Sequence, residues 1–297
     1  MIEPPPFSIV ISTVDRPEAL ARALLSVAEQ SHRPRRIVIV DASRDDSTRS
    51  VCVEFQHAFN LRWQRSHDAS AARQRNAGAT HVETPLIAFM DDDVVLEPDV
   101  FARLCEPFAR LARPPGGVAG RIRGLGHGMP RGWLRRYYRL QAGFGHADYG
   151  ALVFGPAINT LPCYENCHDD LICGDWLNST CVVYDRDAFA RQLFPDFAGY
   201  SFMEDVHLSL RVGRSRELYF HRTAEYEHRS QPSEFKRDHL ALARSRIANQ
   251  RIVARDLLGL DGITLGWKFA LHRLFITTAL LRGGGAGKWR EVAGTWI

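Results

Sequence analysis

Leu86-Ile87-Ala88-Phe89-Met90-Asp91-Asp92-Asp93-Val94 is the stretch that decides how this chain is read. Five apolar residues make a strand-like run, and three carboxylates stand at its exit. Asp91 and Asp93 lie two apart, so in an extended backbone they project from one face and together clamp a hard cation. Without a cation the cluster repels itself, since two unit charges about 4 Å apart cost roughly 4 kcal/mol at an effective dielectric of about 20. The plainer alternative is that these acids precede a helix starting near Glu97-Pro98, where negative charge favours the helix dipole.

Working outward, strands and helices alternate. Phe7 to Ser12 reads as a buried strand. Pro17 to Gln30 reads as a helix with Ala19, Leu20, Ala23, Leu24 and Val27 on one stripe. Arg36 to Asp41 is the next strand, Asp45 to Phe59 a helix, Leu61 to Arg65 a short strand and Ala69 to Thr80 a helix. The alternation predicts an α/β fold, a Rossmann-like and mostly parallel sheet flanked by helices. Ligands then gather where strands end, as at Asp41 and Asp91.

Between Arg113 and Leu140 the texture changes to seven glycines and seven arginines without an acid. The reading is a strand around Gly117 to Ile122 that runs into a mobile loop. Arg131, Arg135, Arg136 and Arg139 interleave with Trp133, Tyr137 and Tyr138. That mixture suits an anionic acceptor, a membrane surface or a solvated helix face. Further on, Asn178 to Tyr184 is a strand, a helix follows from about Asp185, Met203 to Val212 is a helix, Ala224 to Glu227 a short strand and Ser233 to Leu258 a long helix. No acid occurs between Asp261 and Glu291, while Trp267, Leu271, Leu274, Thr278 and Leu281 share a helical stripe near Lys268, Arg273, Arg282, Lys288 and Arg290. Two readings stay open: a helix lying on an anionic leaflet, or one packed on the sheet domain.

Composition excludes several classes. With 297 residues, 45% hydrophobic and 24% charged, the chain is ordinary globular material rather than a disordered one. The longest apolar candidate, Trp267 to Leu281, is broken by Lys268, His272 and Arg273, so a membrane-spanning helix is not expected. Met1-Ile2-Glu3-Pro4-Pro5-Pro6 lacks the basic and apolar segments of a secretory signal, and the expectation is a cytoplasmic protein. The six cysteines are then thiols. Cys163, Cys167, Cys173 and Cys181 lack paired C-x-x-C spacing, which leaves bound zinc open beside the simpler reading of buried or loop thiols. The turn Ser12-Thr13-Val14-Asp15-Arg16-Pro17 has no glycine, which disfavours a dinucleotide fold, and no Walker loop is present. A formal charge of +4 is modest, and no nucleic-acid partner is expected.

Four ordered pieces carry a family resemblance. The first is Ser8-Ile9-Val10-Ile11-Ser12-Thr13 with Gln30, Ile37 to Ser43 and Asp45-Asp46-Ser47-Thr48. The second is Ser70-Ala71-Ala72-Arg73-Gln74-Arg75-Asn76-Ala77-Gly78. The third is the D-x-D-type run Asp91-Asp92-Asp93, and the fourth is Met203-Glu204-Asp205-Val206-His207-Leu208. Together, over nearly the whole chain, they resemble the family 2 glycosyltransferases with their GT-A fold. The departure is Ala42-Ser43-Arg44, where that family has an acidic or glycine-containing triplet.

The resemblance implies a metal-dependent, inverting transfer of a sugar from a nucleotide-linked donor. It implies a GT-A domain over residues 1–230, divided into a donor half (1–112) and an acceptor half (113–230), with a helical C-terminal appendage over 231–297. Thr13, Asp15 and Asp41 would meet the nucleoside, Arg75 the diphosphate and Asp91 the ribose, with Asp92 beside them. Asp93 and His228 would hold the divalent cation, Mn²⁺ in preference to Mg²⁺. Asp205 would be the general base and Glu204 would hold an acceptor hydroxyl. Trp176 would floor the acceptor, with a core position as the alternative. The expected donors are UDP-, dTDP- or GDP-linked sugars and the expected acceptor is a glycan or lipid-linked molecule of bacterial surface polymer synthesis, with peripheral contact to the inner face of the membrane. A non-catalytic sugar-nucleotide binder and a nucleotidyltransferase are the competing readings.

Overall fold

A computed structural model of the protein describes residues 3–125, 131–142, 152–198, 202–230, 238–282 and 288–296. The first half follows the predicted alternation: β1 (Phe7–Thr13), α1 (Pro17–Ala28), β2 (Arg36–Asp41), α2 (Ser47–Phe55), β3 (Leu61–Arg65), α3 (Ala71–Ala79) and β4 (Leu86–Asp91). β5 (Val94–Leu96), α4 (Val100–Arg110) and β6 (Gly117–Ile122) come next. They are followed by α5 (Gly132–Ala142), the short pair β7 (Val153–Phe154) and β8 (Ile158–Asn159), and then β9 (Leu171–Gly174) and β10 (Cys181–Asp185). The chain closes with α6 (Arg186–Ala190), α7 (Glu204–Val212), β11 (Leu218–His228), α8 (His239–Asp256), α9 (Gly262–Arg282) and α10 (Lys288–Trp296).

Among the described residues, nine strands form one sheet in the order β3-β2-β1-β4-β10-β6-β11-β5, with β9 also on β11. β3, β2, β1 and β4 are mutually parallel, and β10 enters antiparallel to both β4 and β6. The strand sequences explain why both faces are covered. On β1, Phe7, Ile9 and Ile11 pack with Leu20, Leu24, Phe101 and Leu104 from α1 and α4. Val10, Val38 and Phe89 point the other way, toward Phe189, Val206 and Leu208 from α6 and α7 and Val253 and Phe269 from α8 and α9. The C-terminal helices therefore complete the core on one face.

Three sequence expectations change here. The stretch after Arg131, read as running on from a loop with a solvated helix face as one alternative, is α5, and the helix is packed rather than solvated: Tyr137 stacks on Phe275 of α9 with ring centroids 3.9 Å apart, and its hydroxyl meets His272 Nδ1 at 2.6 Å. Tertiary packing overrides the glycine-rich flank. The helix expected near Glu97-Pro98 starts instead at Val100, because Val94 to Leu96 first forms β5 against β11. β11 is also far longer than the expected Ala224 to Glu227. The expected start of the long helix at Ser233 lies outside the described residues.

α3 lies unusually close to the sheet, and this closeness sets its side chains over the strand ends. A Cβ on Gly78 would stand 2.4 Å from Val10 Cγ1 and 3.1 Å from Val40 Cγ2. Gln74 of the same helix donates to Thr13 O at 3.1 Å and to Val40 O at 2.7 Å, pinning the helix across β1 and β2. Gly78→Ala is expected to lower unfolding free energy by about 1–3 kcal/mol through overpacking, read from denaturant melts.

Candidate active site

The acids at the end of β4 do not continue as a strand. Asp91 is the last residue of β4, Asp92 and Asp93 form a turn, and β5 resumes at Val94. β5 pairs antiparallel with β11 so that Val94 stands opposite His228, and the Arg229 N–H donates to Asp93 O at 2.9 Å. Asp91, Asp93 and His228 thereby each offer one ligand atom, all within 4.8 Å of one another. His228 Nε2 lies 3.1 Å from Asp93 Oδ1. The turn achieves the convergence that two-residue strand alternation was expected to give. Two carboxylate oxygens and one imidazole nitrogen make a donor set that fits Mn²⁺, and also Mg²⁺ with less preference.

Asp92 turns away from this cluster. It accepts from Thr13 Oγ1 at 2.6 Å, and its other oxygen is 3.2 Å from Arg16 Nη1. Arg16 also reaches Asp93 Oδ2 at 3.5 Å. Sequence reading missed Arg16, although it is the one cation in the loop that follows β1 and that loop had been marked as a ligand turn. Burial pushes the Asp92 carboxyl up to about 6, against the Thr13 hydrogen bond and the Arg16 charge.

Arg75 is the second counter-charge. It is buried, donates to Asp91 Oδ1 at 2.7 Å and to Glu204 Oε1 at 3.4 Å, and lies over the Phe194 ring. The resemblance placed it on a diphosphate. In this structure it bridges the acid of β4 to the acids of α7. Burial raises the Asp91 carboxyl, and Arg75 opposes that rise.

Glu204 and Asp205 open α7 directly after Met203, a non-glycine residue in the left-handed region at φ 71°. Burial raises both carboxyls; the Asp205 charge adds to the rise of Glu204, the Val206 N–H opposes that of Asp205, and Arg75 lowers both. Their position in the first turn is favoured by the helix dipole, but desolvation outweighs it. One Asp205 oxygen accepts from Val206 N–H at 2.8 Å.

The remaining expected residues take more structural places. Asp41 is fully buried and accepts from Ser43 N–H at 2.8 Å and Trp63 Nε1 at 3.1 Å, so it fixes the turn after β2. Asp15 pairs with Arg44, whose backbone and guanidinium N–H groups both donate to it at 2.8 Å, and these hold its carboxyl below the usual range. Trp176 takes the core position that the sequence left open: its indole N–H donates to Thr160 O at 2.8 Å and its buried ring lies edge-on to Phe220. Cys163 and Cys181 are buried thiols and Cys173 is exposed. Among the described residues, the acid and imidazole cluster is the one grouping with metal-ligand geometry.

A sheet with parallel strands at one side, an acidic turn at the fourth strand's exit and a buried acid pair facing it defines the GT-A class of fold. S. aureus TarS residues 1–349, solved in complex with UDP-GlcNAc, superpose with a TM-score of 0.52 at 15% identity, over 93% of this chain and 73% of that one. The mannosyltransferase PcManGT from Pyrobaculum calidifontis, solved with GDP-Man and Mn²⁺, gives 0.58 at 14% identity, over 99% and 86%. Residues 8–150 match the family model described as glycosyl transferase family 2. The validoxylamine A glucosyltransferase of Streptomyces hygroscopicus subsp. limoneus is 32% identical over 98 residues, 32% of this chain and 22% of that protein's length. The chain thus spans about a third or less of the length of the curated relatives it matches.

A carboxyl held above its ordinary value favours folding at low pH. For Asp92, raised from 3.8 to about 6, that contribution is complete below about pH 4 and is lost as pH rises through about 6. Metal-free Asp92→Asn protein is therefore expected to gain on wild type in unfolding free energy between pH 4 and 7, by up to about 3 kcal/mol. Paired denaturant melts across that range check the sign.

Proposed function

We propose that the chain moves a sugar from a nucleotide-linked donor to an acceptor hydroxyl with inversion at the anomeric carbon. One observation carries the reading: Arg75 links the Asp91, Asp93 and His228 cluster to the raised carboxyls of Glu204 and Asp205. A site that can hold a doubly charged ion stands beside a site that can hold a proton. The ion, when bound, would act as a Lewis acid on the departing nucleoside diphosphate.

Asp205 takes the proton of the attacking hydroxyl in this reading. Its raised carboxyl makes it a better base than an ordinary aspartate, because proton affinity then lies nearer the operating pH. Glu204, tied to Arg75, holds the acceptor hydroxyl or orients the first turn of α7. At the opposite side Thr13, Asp15 and Asp41 shape the nucleoside end. Asp41 does so through the turn it fixes at Ser43, and Asp92 and Arg16 tie that loop to the acidic turn. Arg75, buried between carboxylates, balances the charge of the cluster and moves to the diphosphate only by leaving one of them.

The UDP- and GDP-sugar complexes of the two structural neighbours support a nucleotide-linked donor, which we infer to be a UDP-, dTDP- or GDP-sugar, and the Mn²⁺ of one supports that ion. The acceptor we infer is a glycan or lipid-linked molecule of bacterial surface polymer synthesis, glycosylated in the cytoplasm at the inner face of the membrane. We assign residues 1–230 to the catalytic domain and 231–297 to a C-terminal helical region whose described helices close one face of its core.

Asp205→Asn is expected to lower kcat by about 100-fold or more while donor affinity measured by calorimetry stays within about twofold. A non-catalytic binder would have no turnover to lose, and a nucleotidyltransferase would release pyrophosphate in place of a nucleoside diphosphate. Melting curves with a panel of nucleoside diphosphates are expected to rise for at least one pyrimidine diphosphate only with Mn²⁺ or Mg²⁺ present, and Asp93→Ala is expected to remove that rise.

A further inference from the structure

The most unusual surface of the molecule lies away from the acids. The chain has six tryptophans, and the four exposed ones, Trp133, Trp267, Trp289 and Trp296, all belong to α5, α9 and α10. Along α9, Ile263, Trp267, Leu274 and Leu281 recur at helical spacing on one face, and all are exposed, Ile263 at 89%. The other side of the helix is already engaged: Phe269 and His272 are buried and Phe275 stacks on Tyr137 of α5. Packing on the sheet domain therefore accounts for one side of α9 and leaves its apolar stripe facing outward.

Charge selects what covers that stripe. Neither 113–140 nor 262–290 contains an acid, while α5 and the residue before it expose Arg131, Arg135 and Arg136. Two copies of such a face would bring like charges together, which opposes a symmetric dimer. An anionic lipid leaflet meets both demands, since tryptophan rings settle at the headgroup level and each nearby Arg or Lys adds attraction to acidic headgroups. Among the described residues no helix is long and apolar enough to cross a membrane, so α9 lies along the surface.

We propose that the outward stripe of α9, flanked by α5 and α10, docks the protein on an anionic membrane surface. This surface stands whether or not the sugar-transfer reading holds, and its test needs no donor or metal. The full chain is mixed with vesicles of phosphatidylcholine alone or with about 30 mol% phosphatidylglycerol and sedimented. Wild type is expected to bind the acidic vesicles, more weakly as salt rises, with tryptophan emission quenched by brominated acyl chains. Trp267→Ser with Leu274→Ser, and separately Arg135→Glu with Arg136→Glu, are each expected to weaken binding about tenfold or more without changing the far-UV dichroism or the melting temperature. The proposal is overturned if wild type ignores acidic vesicles, if its tryptophans escape quenching, or if the folded variants bind as well as wild type. It is equally overturned if light scattering finds a dimer that these same substitutions dissociate.

Discussion

Three consecutive carboxylates at the end of a core strand have to be answered by positive charge, and the rest of the site is arranged around that demand. Asp92 and Asp93 are buried, and Asp91 stands partly so at the mouth of the sheet. Arg16 comes from the loop after β1 and Arg75 from α3, while His228 at the end of β11 sets an imidazole beside Asp93. Each arrives from a different element, so the acidic turn ties three parts of the chain to one point. Buried ion pairs give modest net stability, because desolvation offsets much of the attraction. Their effect here is to fix geometry, and the uncompensated charge that remains is what a divalent ion would neutralise.

Arg75 joins the two halves of this arrangement. It takes one oxygen of Asp91 and reaches Glu204, so any event that draws charge toward Asp91 is felt at the acid pair of α7. An ion held by Asp91 would compete with Arg75 for that carboxylate and leave the guanidinium freer for a phosphate or for Glu204. The left-handed Met203 and the close approach of α3 at Gly78 are the backbone conditions for this bridge, one setting where α7 starts and the other how near α3 lies.

The parallel half of the fold was legible because its signals are local: β1, β2 and β4 are short apolar runs buried on both faces, and α1 carries an apolar stripe. Asp91 and Asp93 were legible as a pair for the same reason, and His228 through family resemblance. The pairing of Arg16 with Asp92 and of Arg75 with Glu204 was not, since the partners lie 76 and 129 residues apart and depend on how separate elements meet. β5 has three residues, too few for any period to register, yet it brings His228 to the acids. Trp176 could be read either as a platform or as core, and only the direction of its strand neighbourhood decides. α5 hid behind glycines and arginines because its helical order comes from Tyr137 packing on α9.

The central claim is that Asp91, Asp93 and His228 hold the ion against which a nucleoside diphosphate leaves. Anomalous diffraction from crystals grown with Mn²⁺ and a bound nucleoside diphosphate tests it most directly. The account predicts a single strong manganese peak ligated by these three side chains and by phosphate oxygens. Nucleotide bound in the cleft with manganese elsewhere, or with no manganese, would contradict it.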